Sequence, residues 1–115
     1  IGLYKGYSKE LISLDTFKKE LFMAQKSIKK DFDMVLSAKI KTCDIFCLGQ
    51  DEPSIELEFI QYPKFITEEE LLKKAIISLT KKLLYKLEQN RIVIVFSDET
   101  IMLEQSEEID SNIRI

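Results

Sequence analysis

Two hydrophobic periods take turns along the chain. Phe17, Leu21, Ala24 and Ile28 recur at i, i+4, i+7 and i+11, which puts them on one stripe of a helix. Asp15 precedes them as a candidate N-cap. Lys18, Lys19, Lys26, Lys29 and Lys30 take the other sides, the last three near the end where cations complement the helix dipole. From Phe32 the period shortens to two: Phe32, Met34, Leu36, Ala38 and Ile40 point one way, and Asp33, Ser37, Lys39 and Lys41 mostly the other, as in a half-buried strand. Near residues 41–43 the phase slips by one, leaving Cys43, Ile45 and Cys47 opposite Phe46 and Leu48, which predicts a bulge or short turn there. Residues 49–54 carry turn chemistry. Beyond them Ile55, Leu57 and Phe59 alternate with Glu56 and Glu58 until Pro63 ends the strand.

The second helix carries start signals of its own. Thr67 and Glu70 have capping-box spacing, Ile66 and Leu71 sit at the two positions of a hydrophobic staple, and Asn90 is a candidate stop, so the pattern predicts a helix over 67–89. Leu72, Ala75, Ile76, Leu79, Leu83 and Leu87 give it an apolar stripe. Residues 91–96 are apolar on both faces, which suits a central strand. Ser97, Asp98, Glu99 and Thr100 turn the chain into a partner strand that begins at Ile101. The expected fold is a single α+β domain spanning residues 1–115. Its order is α-β-β(-β)-α-β-β, with two helices on one face of an antiparallel sheet of four to five strands. The expected core runs through Phe17, Leu21, Ile28, Met34, Leu36, Leu57, Phe59, Leu72, Ile76, Leu79, Leu83, Ile92, Ile94 and Phe96.

Composition narrows the chemistry. The chain has 115 residues with 17 Lys plus Arg against 20 Asp plus Glu, a net charge of −3, and no histidine. Histidine triads, bases and metal ligands are therefore excluded, and a general nucleic-acid binder lacks the cationic surplus that phosphate contacts need. The lysines of the second helix (Lys73, Lys74, Lys81, Lys82 and Lys86) alternate with leucines as a solvated helix side does. Three scattered glycines make neither a phosphate-binding loop nor a dinucleotide fingerprint, so no cofactor is expected. Cys43 and Cys47, spaced C-x-x-x-C, would lie about 13 Å apart on one strand, and are read as buried reduced thiols. Glu56 and Glu58 share one side of a strand, as any acidic surface strand offers, and the chain is read as a non-enzyme. No apolar run spans a bilayer and no secretory pattern opens the chain, which predicts a cytoplasmic protein.

Charge is uneven along the chain. Residues 1–48 carry 9 basic and 6 acidic side chains, and residues 49–115 carry 8 and 14. The late acids Asp98, Glu99, Glu104, Glu107, Glu108 and Asp110 are the candidate partner-binding residues, as an acidic patch suits a basic partner.

In size, acidity and lack of catalytic residues, carried by stretches such as 97–100 and 104–108, the chain resembles the small acidic bacterial immunity proteins that neutralise toxins, including those of contact-dependent inhibition. The resemblance implies a monomeric protein that binds a basic toxin domain, such as a nuclease, and covers its active site electrostatically. Two alternatives stand beside it. One is a regulatory or structural subunit of a larger assembly. The other is a type III secretion chaperone, whose usual C-terminal helix the tail from Glu107 to Ile115 does not match.

Overall fold

A computed structural model describes residues 1–62 and 67–107. The chain forms α1 (Leu14–Phe32), β1 (Ser37–Cys47), β2 (Gln50–Ile60), α2 (Glu69–Lys86), β3 (Arg91–Val95) and β4 (Thr100–Glu104). The class is α+β with antiparallel strands, in the expected order. Among the described residues the strands do not merge into one sheet of four to five: β1 pairs with β2, and β3 with β4.

The start of α1 is set by Ser13 rather than Asp15. The Ser13 hydroxyl accepts a hydrogen bond from the Thr16 amide at 3.1 Å, while Asp15 lies inside the first turn, where a carboxylate faces the positive end of the helix dipole. Phe17, Leu21, Ala24 and Ile28 are its buried stripe, as the spacing predicts. The helix continues through Phe32 and ends on Asp33 in the left-handed region at φ 50, so Phe32 and Met34 belong to the helix end and the connection rather than to a strand. Met34 and Leu36 are nonetheless buried.

The β1–β2 register is unbroken from Ser37↔Ile60 to Cys47↔Gln50, so the expected bulge at 41–43 is absent. Ala38 and Ile40 on β1 and Leu57 and Phe59 on β2 share the face packed on the core. Past Ile55, opposite Thr42, the hairpin outruns that core, and Ile45, Phe46 and Leu48 are exposed. The turn is the two residues Leu48 and Gly49, at φ 45 and φ 88, so both adopt the left-handed conformation that matches strand twist in a tight hairpin. Residues 50–54, expected as turn, are strand. Pro53 fits within it because its nitrogen points away from β1, where no ladder bond is lost.

α2 begins with Glu68 as N-cap and no side-chain cap, so the capping box of Thr67 and Glu70 does not form. The staple at Ile66 and the stop at Pro63 lie outside the described residues. The helix ends earlier than Asn90. The Gln89 amide donates to Leu84 O at 2.9 Å and the Glu88 amide to Tyr85 O at 3.3 Å around Glu88 at φ 51, the paired bonds of a Schellman ending. Leu87 is thereby turned into the core.

Residues 1–12 clasp the two halves. The Leu3 amide donates to Pro53 O at 2.9 Å and the Ile55 amide to Ile1 O at 2.7 Å, laying residues 1–3 antiparallel on the outer edge of β2. Further on, the Gly6 amide donates to Glu88 O at 2.6 Å, Gln89 Nε2 to Tyr4 O at 2.8 Å, and Asn90 Nδ2 to the Tyr7 hydroxyl at 2.7 Å. The core between α1, α2 and the strands holds most of the expected residues and adds Ile12, Ile55, Ala75 and Leu87; Leu57, Phe59, Leu72 and Phe96 lie partly buried against it. No helix among the described residues is long and apolar enough to cross a membrane.

Candidate functional site

Among the described residues, the acids singled out by charge density do not form one patch. Asp98 and Glu99 sit in the turn between β3 and β4, whereas Glu104 closes the far end of β4, about 17 Å away at ~3.3 Å per residue. All three lie beside a cation of the same chain, Asp98 and Glu99 sharing one. Lys73 Nζ lies 2.8 Å from both carboxylate oxygens of Asp98 and 3.6 Å from Glu99. Arg91 Nε lies 2.6 Å from Glu104. The hydrogen bond from Lys73 holds the Asp98 carboxyl below its ordinary range, and the same bond raises the Lys73 ammonium. Lys73 is only 8% exposed and also lies 5.4 Å from the Phe96 ring centre, so these acids steady the β3–β4 ribbon against α2. Glu107 is exposed, and Glu108 and Asp110 lie outside the described residues.

Carboxylates without such partners occur elsewhere. Glu56 and Glu58 are exposed on the outer face of β2, opposite Lys41 and Lys39 in register, and neither closes an ion pair with a described residue. Across from them the outer face of β3–β4 is apolar: Val95 is 75% exposed, Val93 58% and Met102 55%. The double-sided hydrophobicity of residues 91–96 therefore does not mark a central strand. Ile92 and Ile94 face the core, and the valines face out.

Between these two features runs a groove of about 750 Å³, bordered by residues 54–59 of β2, by 92–97 of β3, and by Ile1 with Cys43 and Ile45 of β1, and floored by Ile76 and Thr80 of α2. Sequence reasoning missed it because it depends on β2 and β3 standing unpaired side by side. The available signal was the valine pair, an apolar face beyond what one core needs.

The two cysteines lie on β1. Both are free thiols, but Cys47 is exposed and Cys43 half-buried, since the hairpin end that carries them extends past the core; this corrects the expectation of buried thiols. Among the described residues no group of three or more Cys, Asp or Glu side chains is placed to hold a metal ion. Comparison with known protein families, curated proteins and solved structures finds no match to this chain.

Proposed function

We propose that this chain is a non-enzymatic protein-binding domain of the immunity type, which binds and neutralises a basic toxin domain. The observation that carries the reading is the exposed Val93, Val95 and Met102 surface beside the exposed Glu56 and Glu58, neither of which closes an ion pair with a described residue. An apolar centre with a charged rim is the composition of a protein interface, and the net charge of −3 favours a cationic partner. The acids proposed to bind are Glu56, Glu58 and Glu107, since Glu104 is engaged by Arg91 and Asp98 and Glu99 share Lys73.

The test is a salt-graded pull-down followed by titration of the purified partner at low and high salt. Recovery of one basic chain whose affinity falls at least about tenfold from 50 to 500 mM salt, and whose toxic activity the domain suppresses, is the expected result. An affinity that ignores salt would instead favour a subunit of a larger assembly, a reading supported by the exposed Ile45, Phe46 and Leu48 at the hairpin end.

A further inference from the structure

We propose that the groove between β2 and β3 receives an extended segment of the partner as an added strand, with lysine or arginine at alternate positions on its outward side. This rests on the reading of the chain as a binder of a basic protein, and names the surface and the manner of binding.

Both borders of the groove are strand edges whose outer backbone groups point away from their hairpin partners. In β2 the ladder to β1 alternates from the closing pair Cys47↔Gln50, which leaves the N–H and C=O of residues 53, 55, 57 and 59 pointing away from β1. In β3 the Phe96 amide bonds Glu99 O at 2.8 Å and the Gln105 amide bonds Asn90 O at 2.8 Å, so the even residues face β4 and the backbone groups of Val93 and Val95 face outward. Among the described residues no backbone hydrogen bond reaches the outward groups of Leu57, Val93 or Val95. Unpaired edges of this kind are templates for an incoming strand.

Strand addition already occurs on this edge. Residues 1–3 lie antiparallel on β2 at 53–55, where the Ile1 ammonium also donates to Ile55 O at 2.8 Å. The size agrees: at ~3.3 Å rise, ~4.8 Å strand spacing and ~10 Å sheet thickness, a strand takes about 160 Å³ per residue, so 750 Å³ holds about five residues. The six-residue borders, 54–59 and 92–97, match that length.

The two faces of the groove then specify the segment. Inward side chains meet Ile76 and Thr80 of α2 and are best apolar. Outward side chains lie between the exposed Glu56 and Glu58 on one side and Val93 and Val95 on the other. A lysine or arginine suits both neighbours, laying its alkyl stem along a valine and its charge beside a carboxylate.

The experiment uses a capped eight-residue peptide of alternating Lys and Val as probe, followed by amide exchange and titration on the whole chain. Binding is expected to slow exchange at Leu57, Val93 and Val95 at least about tenfold, and to be at least about tenfold tighter than for the matching Glu and Val peptide. N-methylation of alternate residues of the Lys and Val peptide, which deletes its donors on one edge, is expected to cost about tenfold or more. Val93→Pro removes one outward donor without touching the β4 ladder, as Pro53 does in β2, and is expected to weaken the peptide similarly; Glu56→Lys with Glu58→Lys should do so while leaving the edges intact.

Binding that leaves those three amides unprotected, or that ignores N-methylation, overturns the added strand. Amides already protected in the peptide-free chain would show the groove closed by the chain itself, and a dimer that Val93→Pro dissolves would assign it to a second copy; either result overturns the partner strand. A basic partner that binds Val93→Pro and the Glu56→Lys, Glu58→Lys variant as tightly as the unaltered chain defeats this inference and leaves the proposed function standing. If no basic partner binds at all, the proposed function falls.

Discussion

Lys73 and Asp98 lie 25 residues apart in sequence, and the lysine ammonium donates to both oxygens of the aspartate at 2.8 Å. This fork joins the first half of α2 to the turn between β3 and β4. The Asp98 carboxyl titrates below its ordinary value of 3.8, so the unfolded chain takes up that proton more readily than the folded one. The pair's contribution is therefore complete above the unfolded carboxyl pKa and is lost as pH falls through the lower folded value. Asp98→Asn should lower the melting temperature at neutral pH and flatten its fall below about pH 4. Identical melting temperatures for the two proteins from pH 2 to 7 would show that the pair adds nothing.

Leu48 occupies a left-handed backbone position at φ 45, which costs an L-residue about 1–2 kcal/mol. Its side chain is exposed and has little packing to lose. Leu48→Asn is expected to stabilise the fold by about 0.5–1 kcal/mol in urea denaturation, since Asn-Gly is the preferred pair for this turn. A loss of stability would mean that the leucine has a contact on the hairpin end that outweighs its backbone strain.

Glu88 presents the same problem at the end of α2, at φ 51. Glu88→Gly should stabilise by about 1 kcal/mol, because the left-handed residue of a Schellman ending is best glycine. The exposed ion pair with Lys5, at 3.6 Å, offsets little of this. Chemical denaturation of the single variant measures the balance directly.

Phe17 is fully buried at the centre of the α1 stripe. Phe17→Ala should cost about 3–5 kcal/mol, through lost burial and the cavity left behind. Val95→Thr, on the outward face of β3, should change stability by less than about 0.5 kcal/mol while weakening the partner at least about threefold. Calorimetry on both variants separates core from binding surface, and equal partner affinity for Val95→Thr would remove the valine face from the interface.

What the residues disclosed follows from how local each signal is. The stripe of Phe17, Leu21, Ala24 and Ile28 was readable because one helix face meets one core, and helical periodicity reports that directly. The phase change near 41–43 suggests a bulge that does not form, because periodicity reports burial, and beyond Ile40 strand β1 has little core left to impose a pattern. Thr67 and Glu70 have the spacing of a capping box, but the helix starts two residues after Thr67, a shift no local motif reveals. The acids at 98, 99 and 104 looked like one surface because they are near in sequence; Lys73 lies far from that stretch, and pairing across the ribbon is a tertiary fact. The groove was the least visible feature, since it is made by two edges that fail to meet.

The clasp formed by residues 1–12 bears on the order in which the molecule assembles. Gln89 reaches Tyr4 across 85 residues of sequence, whereas each hairpin and helix closes over a short span. Closing so long a loop has an entropic cost that the two ribbons do not face, so the clasp is expected to settle after them, on the native side of the folding barrier. Weakening it, for example with Tyr7→Phe, should leave the refolding rate nearly unchanged and hasten unfolding, making the first dozen residues a latch that governs how long the native state lasts.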